Sequence, residues 1–292
     1  MRSAEAGAPA CARLTDGIAV ALDRRATVRV ERLTAGVRLE SKQALARVEG
    51  QRLAELRPPA ALGALHDLLL GLGFDEGVGA VMQARVPVET GLSPHVAALV
   101  AAAAAALRLA GEGAAPEDVA RLAEQALRGD GEAGAVDALA VWAAIRGGCQ
   151  RRIGAQVRSL AIDPAWVEQS LLLVDLGVAA REPAGAPEPS PVDAALETAL
   201  HARDDGALPR LIAAGWEAAC ARDPGVVTPE ADEVLRWVLA AGGAGRPCGP
   251  GGGGLLLLWL PVDARGALAE RLHQAGRRTY PCRVDVLGLD VG

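Results

Sequence analysis

The chain has 292 residues, a formal net charge of −6 and 51% hydrophobic residues, which is the composition of a folded protein and not of a disordered one. An acidic chain lacks the basic face that binding to nucleic acid or to an anionic membrane requires, and 2% of aromatic residues leaves few rings on which bases could stack. The length allows one large domain or two of ordinary size.

The cysteines and the short apolar stretches indicate the cellular compartment of the protein. The five cysteines are scattered, without a C-x-x-C pair, which favours reduced thiols over a disulfide framework or a zinc site. The first residues lack the apolar core of a signal peptide, and the stretches 96–107 and 255–261 are too short to span a bilayer. We therefore expect a cytoplasmic protein that binds neither a membrane nor nucleic acid; a homodimer is compatible with the sequence.

The first half of the chain carries both strand and helix patterns. Alternating apolar residues predict two strands, at 26–30 and 37–39, and a third strand that ends at Pro87. A short turn with glycine and serine then leads into an alanine-rich helical segment. Helical spacing of apolar residues predicts four helices, at 60–72, 96–110, 117–127 and 137–145.

The second half begins near residue 155, where the helical segments give way to the strand pattern SLLLVDLGV. An apolar run at 255–261 predicts a buried strand, and RVDVLGL predicts a closing strand near 283–289. Further helices are predicted at 192–202, 206–221, 229–240 and 264–275. Because strands and helices mix without a regular βα alternation, we predict an α+β protein with domains at 1–155 and 156–292.

Three features of the sequence could carry chemistry, and the first is the turn ETGLSPH at 89–95, before the long helix. A helix that begins after such a turn directs free backbone N–H groups and the positive end of its dipole toward one point, which suits a phosphate. The same residues also fit an ordinary capped helix, with Ser93 as the N-cap and Pro94 in the first turn.

The second feature is the run GPGGGG at 249–254, directly before the strand that begins at Leu255. Consecutive glycines beside a buried strand permit the close approach of a ligand or of another backbone segment. The alternative is a flexible linker, although linkers seldom lead directly into so apolar a strand.

The third feature is a pair of acids, Glu124 and Asp137, on two predicted helices that are separated by a glycine-rich break. Carboxylates on consecutive helices could converge on one magnesium ion or on one reacting hydroxyl. The alternative is a solvated surface position, which is the commoner fate of a single acid.

Taken in order, these segments resemble the GHMP kinases, the superfamily of galactokinase, homoserine kinase, mevalonate kinase and phosphomevalonate kinase. The resemblance is greatest to the branch that contains D-glycero-D-manno-heptose 7-phosphate kinase. RDPGVVTPEADEVLRWVLAAGGAGRPCGPGGGGLLLLWLP is similar to the family's SPGVxNPxIDELxxxAxxxGAxGGKLxGAGGGGFLLFxxP. VPVETGLSPHVAALVAA lies where the family has PxGSGLGSSSAxxVA, and GDGEAGAVDALAVWAAIRGG is similar to GxxDQxAAxxGG.

The resemblance implies a two-domain α+β fold with the active cleft between the domains. It implies a kinase that transfers phosphate from ATP, with Mg²⁺, to a small sugar or sugar phosphate. Asp137 would orient or deprotonate the acceptor hydroxyl, and Glu124 would be the magnesium ligand. The residues implied for the nucleotide phosphates are Thr90, Gly91, Leu92, Ser93 and His95, and those implied for the acceptor side of the cleft are Asp16, Gly251, Gly252 and Gly253.

Several positions depart from the family pattern. Of the first motif only ARLTDG at 12–17 remains, which predicts the loss of an acceptor-binding stretch and of a strand. Pro94 removes a backbone N–H donor from the phosphate turn. His95 stands where a serine would help to hold magnesium, and a neutral imidazole is a poor ligand for that ion. These changes favour an alternative, a catalytically inactive pseudokinase that binds a metabolite or a protein.

Overall fold

The computed structural model describes residues 2–85, 90–129, 137–180, 190–249 and 253–292. Within these ranges the chain forms two β-sheets and a set of α-helices, in the α+β arrangement that the sequence predicts.

The elements follow in chain order. The strands are β1 (Ser3–Arg13), β2 (Ile18–Arg32), β3 (Val37–Ser41), β4 (Ala46–Gly50), β5 (Val78–Ala84), β6 (Cys149–Ile153), β7 (Gln156–Leu160), β8 (Leu171–Asp175), β9 (Ala244–Pro247), β10 (Leu255–Trp259), β11 (Thr279–Pro281) and β12 (Asp290–Val291). The helices are α1 (Ala60–Gly71), α2 (Pro94–Ala110), α3 (Pro116–Gly129), α4 (Ala138–Arg146), α5 (Pro164–Ser170), α6 (Asp193–Ala202), α7 (Ala207–Arg222), α8 (Pro229–Ala240) and α9 (Val262–Gln274).

The first sheet has the strand order β12-β1-β2-β5-β3-β4, and β6 extends it by pairing with both β2 and β7. Its centre is the long antiparallel pair of β1 and β2. Strands β3 and β5 are parallel, while the other pairs are antiparallel. The second sheet is antiparallel, in the order β11-β8-β10-β9.

Helix α2 lies in the core and packs on β1 and β2. Fourteen of its 17 residues are buried, because a helix that is apolar on every side must be covered on every side. Residues 101–106 are six consecutive alanines, all fully buried, and their small side chains allow the helix axis to lie close to the sheet. The N-terminal end of α2 is therefore held against the sheet, where Cys11 N–H donates to the carbonyl of Leu92 at 3.3 Å.

The central strands of the second sheet are buried on both faces. Leu172 and Leu256 pack with α8 and α9, whereas Leu173 and Leu257 pack with residues of β1, α6 and α7. A strand that is covered on both faces has apolar residues at every position, which explains the unbroken sequence LLLLW of β10.

Two expectations about strands are wrong. The strand expected to be lost with the first motif is present as β1, whose small residues carry little strand signal but pair with β2 and β12. The closing strand near 283–289 is not formed: Val284 makes an isolated bridge to Leu22, and pairing resumes only at β12.

The predicted domain boundary near residue 155 falls in the turn of the hairpin made by β6 and β7, both of which belong to the first sheet. The division at this point stays a prediction. In the described ranges, no helix is both long enough and apolar enough to cross a membrane.

Candidate active site

The turn before α2 and the glycine-rich segment before β10 lie against each other. Gly91 has a φ of +78°, and a Cβ on it would stand 2.6 Å from the backbone nitrogen of Gly249. A Cβ on Gly249 would in turn stand 2.7 Å from the Cα of Gly91. The N–H of Leu255 donates to the carbonyl of Thr90 at 3.0 Å. Glycine at these two positions therefore permits a backbone-to-backbone contact between segments that are far apart in the sequence.

The segment that follows β8 joins the same contact. The N–H of Gly254 donates to the carbonyl of Val178 at 2.6 Å, and a Cβ on Gly253 would overlap the carbonyl of Ala179. Of the three glycines expected on the acceptor side, Gly253 thus lies where three segments meet. Gly251 and Gly252 lie outside the described residues.

The start of α2 has an unusual geometry. Ser93 occupies the N-cap position in the left-handed region, with a φ of +52°, and its side chain makes no capping hydrogen bond. Its carbonyl accepts hydrogen bonds from the N–H groups of Val96 and Ala97. His95 is exposed, and Leu92 is buried in the core beneath the turn. The hydrogen bonds of the backbone, and not the hydroxyl of Ser93, therefore hold the turn at the start of α2.

Asp137 forms an ion pair with Arg13 at the end of β1. Arg13 donates through NH2 to Oδ2 of Asp137, and the two side chains are 7% and 22% exposed. Asp137 is also the N-cap of α4, because its Oδ1 accepts the N–H of Ala140 at 3.1 Å. Cys11, two residues before Arg13, is the donor to Leu92. Strand β1 therefore contacts both Asp137, through Arg13, and the turn before α2, through Cys11.

The environment of Asp137 keeps it ionised. Burial by itself would raise the pKa of Asp137, but the charge and hydrogen bond of Arg13, together with the N–H of Ala140 and the charge of Arg152, outweigh it and lower the pKa below its usual value. Asp137 is therefore a carboxylate at neutral pH. Such a group is a weak base but a good hydrogen-bond acceptor, which suits the positioning of a hydroxyl more than its early deprotonation.

Asp16, expected to contact the acceptor, is already held by arginines. It is 3% exposed, and its Oδ1 accepts from NH2 of Arg246 at 2.6 Å while Oδ2 accepts from Arg222. Burial alone would raise the pKa of Asp16, but Arg246, Arg13 and Arg222 together lower it. The carboxylate that should bind a sugar hydroxyl is thus paired with two cations.

Arg13, Arg222 and Arg246 were not predicted as site residues from the sequence. The available signal for Arg246 was its place in GAGRPCGPGGGG, where the family pattern GAxGGKLxGAGGGG has a lysine. Arg13 lies in the remnant of the first motif, next to the residues already noted there. Nothing in the local pattern around Arg222 distinguishes it from other arginines.

Glu124 pairs with an arginine of its own helix. It lies on α3, is 23% exposed, and accepts from NH2 of Arg128 at 3.2 Å, one turn along the same helix. Among the described residues no group of three or more His, Cys, Asp or Glu side chains could hold a metal ion. The role of Glu124 as a magnesium ligand stays a prediction.

We expect Gly91→Ala to lower the free energy of unfolding by about 3 kcal/mol. An alanine in the left-handed region costs about 1 kcal/mol, and overlap with Gly249 adds a packing cost of about 2 kcal/mol. Gly73→Ala is the matched control, because Gly73 has a φ of +77° and open space around its Cβ position. Urea denaturation of both variants measures the difference; equal losses would show that the contact between the two segments contributes nothing.

Comparison with known proteins supports the fold without identifying a close relative. No family model matches the chain, and no curated protein matches it.

Solved structures do match over nearly the whole length of the chain. A proposed sugar kinase from Campylobacter jejuni is 14% identical with a TM-score of 0.79, and the match covers 100% of this chain and 98% of the other. Lactococcus lactis galactokinase with bound galactose is 13% identical with a TM-score of 0.78 over 99% and 95%. A D-glycero-D-manno-heptose 1-phosphate kinase from Bacteroides thetaiotaomicron is 14% identical with a TM-score of 0.75 over 99% and 98%.

The heptose-phosphate kinase is one of several kinases at this level of similarity, so the comparisons do not single out the heptose branch. At these identities the likeness concerns the fold. The chain has the α+β fold of the GHMP-family small-molecule kinases.

Proposed function

We propose that this protein is an ATP-dependent kinase that phosphorylates a hydroxyl of a small sugar or sugar phosphate. The observation that supports this most is one chain of contacts. The turn Thr90–Ser93 packs on the glycine segment at Gly249, and the carbonyl of Leu92 in the turn accepts the N–H of Cys11 in β1. Strand β1 ends at Arg13, which pairs with Asp137. The turn to which we assign the phosphates is therefore connected, through β1, to an ionised acid.

Phosphoryl transfer depends mainly on positioning and on neutralising charge, since its transition state is loose. In our proposal the backbone at the start of α2, with the positive end of the helix dipole, binds the phosphates of the nucleotide. Asp137 accepts a hydrogen bond from the acceptor hydroxyl and directs its oxygen toward the terminal phosphate. Arg13 keeps Asp137 ionised and in place.

In our proposal the backbone at the start of α2 binds the nucleotide phosphates, whereas the described residues contain no group of three or more His, Cys, Asp or Glu side chains that could hold a metal ion alone. Mg²⁺ takes most of its ligands from phosphate oxygens and water, so one or two protein carboxylates are enough. Glu124 would be one of them, and the ion would neutralise phosphate charge when bound. His95, at the start of α2, does not replace the oxygen ligand that this position has in the family.

The second candidate is a pseudokinase that keeps the fold in order to bind a metabolite or a protein. Two observations favour it. Pro94 removes one N–H donor from the turn, and the carboxylate of Asp16 is occupied by two arginines.

Nucleotide binding is tested by calorimetric titration of the full chain with ATP and Mg²⁺. We expect a Kd in the millimolar range or below, and we expect Ser93→Asp to weaken it at least tenfold because the added charge repels phosphate. Ser93→Asn is the matched control, since asparagine and aspartate are equally good N-caps and both tolerate the left-handed region. No heat with the parent chain at millimolar nucleotide would remove the kinase proposal, and equal affinities of the two variants would remove the turn from the site.

A further inference from the structure

Strand β4 forms one edge of the first sheet. Its five residues all pair with β3 in one unbroken register, and within the described ranges β4 is the last strand in the order of that sheet. The side chains of Arg47 and Glu49 are more than half exposed, so its charges lie on the solvent side. The edge therefore lacks the proline, the bulge and the inward-pointing charge by which many sheet edges avoid pairing with another chain.

The free backbone groups of this edge belong to Arg47 and Glu49. Backbone groups of successive strand residues alternate between the two neighbouring strands, and the N–H of Lys42, directly after β3, donates to the carbonyl of Met82 in β5. Even-numbered residues of β3 therefore face β5, and its odd-numbered residues face β4. In the register of the hairpin these odd-numbered residues lie opposite Val48 and its even-numbered neighbours. The N–H and C=O groups of Arg47 and Glu49 consequently point away from the sheet.

The solvent face of β3 and β4 has charges that alternate in sign. Arg38 lies opposite Glu49, and Glu40 lies opposite Arg47. Along β4 itself, Arg47 and Glu49 form an ion pair. Opposite charges that face each other across a strand pair are stabilising, whereas like charges are destabilising. A strand added at this edge should therefore place a cation opposite Glu49 and an anion opposite Arg47.

A second copy of β4 meets this requirement. In an antiparallel pairing with Val48 on a two-fold axis, Arg47 of each copy lies opposite Glu49 of the other. Because the backbone groups of both residues point outward, each such pair would exchange two backbone hydrogen bonds. A shift of two residues in either direction would place arginine opposite arginine or glutamate opposite glutamate. The charges thus select one register.

The apolar residues of the hairpin also fit this pairing. On the other face, Leu39 is buried in the core and Val48 packs against it, so two copies of Val48 would extend one apolar row across the axis. Leu45, directly before β4, is 93% exposed and has a φ of +50°. In the same register it would lie beside the chain that follows Gly50 of the second copy, which would cover part of its side chain.

The other edges of the first sheet are less suited to pairing. Strand β12 has two residues. At β7, the carbonyl of Val157 already accepts a hydrogen bond from the side chain of Arg146 at 2.7 Å, and Arg158 donates to Glu197 of α6. Among the described strands of this sheet, β4 therefore offers the best edge for a second chain.

We propose that two copies of this chain form a dimer through β4, so that their first sheets join into one continuous sheet about a two-fold axis at Val48. The proposal does not depend on the proposed kinase function. Five residues bury less surface than a standard interface, so we expect a weak dimer with a Kd in the micromolar range. A two-fold pairing is closed and does not continue into a filament.

The dimer is measured by sedimentation velocity of the full chain without nucleotide, from micromolar to millimolar concentration. We expect a reversible change from monomer to dimer as the concentration rises. A chain that stays monomeric over this range would overturn the proposal. Species that grow beyond the dimer would also overturn it, because they require a second interface. Since no nucleotide is present, the result is independent of ATP binding.

Two charge variants locate the interface. Arg47→Glu makes the edge wholly acidic, and Glu49→Arg makes it wholly basic, so each should weaken dimerisation at least tenfold because like charges then face each other. An equimolar mixture of the two variants should dimerise again, because each acidic edge then meets a basic one. A merely structural effect of either substitution would not be reversed by mixing.

Arg121→Glu is the matched control. The side chain of Arg121 is 57% exposed, as is that of Arg47, and it also pairs with an acid of its own element, Asp118 on α3. This variant should dimerise like the parent chain. A dimer that persists unchanged in Arg47→Glu and Glu49→Arg would place the interface elsewhere and overturn the proposal. A mixture of the two that stays monomeric would overturn it as well.

Discussion

Replacing Asp137 by asparagine should reduce phosphoryl transfer at least 100-fold while leaving the affinity for ATP within about a factor of three. An amide cannot supply the negative charge that orients the acceptor hydroxyl, and positioned acid–base groups contribute about 10²- to 10⁴-fold in general. Asparagine still accepts the N–H of Ala140, so the cap of α4 is retained. Turnover is measured by ADP release with a panel of sugars and sugar phosphates.

Asp163→Asn is the matched control for this experiment. Asp163 is likewise an N-cap aspartate, accepting the N–H of Ala165 at 3.0 Å, and it likewise pairs with a distant arginine, Arg203, at 2.8 Å. Asp163 is the N-cap of α5, and its partner Arg203 lies at the end of α6. Equal turnover in the parent chain and in Asp137→Asn would remove Asp137 from the mechanism. A parent chain that binds ATP but phosphorylates nothing in the panel would favour the pseudokinase.

Arg13→Met should lower the free energy of unfolding by about 3 kcal/mol at pH 7. Removing one partner of a buried ion pair leaves an uncompensated charge, and such losses are about 3–5 kcal/mol, here at the lower end because Asp137 is 22% exposed. The double variant with Asp137→Asn should recover most of the loss, since no unpaired charge is then buried. Urea denaturation of the four chains gives the coupling energy of the pair.

The pH dependence of this loss separates charge from packing. With Arg13 present the pKa of Asp137 is lowered, so its contribution is present at neutral pH and is lost as the pH falls through that low pKa. Without Arg13, burial acts against only the hydrogen bond of Ala140 and the charge of Arg152, so the pKa of Asp137 rises. The ionised acid then destabilises the variant at pH 7 and is neutralised on acidification. The difference in the free energy of unfolding between the parent chain and the Arg13→Met variant should therefore become smaller as the pH falls from 7 toward 4. A difference that is constant with pH would mean that only the packing of the Arg13 side chain matters.

The sequence was most informative where backbone geometry is encoded by residue type. The glycine run at 249–254 predicted the close approach of a ligand or of another backbone segment, and Gly249 and Gly253 lie against the backbone of Gly91 and Ala179. Asp137 was named from the family resemblance, and its role stays a prediction; the structure pairs it with Arg13 at the end of β1.

The arginine cluster could not be predicted in the same way. Arg13, Arg222 and Arg246 come from β1, α7 and β9, and only the folded chain brings them to one carboxylate. Strand β1 was missed for a related reason. Its residues are small, so its place is determined by pairing with β2 and β12 and not by local preference.

The alanine packing of α2 has a consequence for how this protein could evolve. A bulkier side chain at any of the six positions from Ala101 to Ala106 would displace the helix from the sheet or from the helices α3 and α4 that cover it, and with it the turn at Gly91. Substitutions are therefore tolerated better in the loops than along α2. New substrate preferences would arise there, while the geometry at the start of the helix is inherited unchanged.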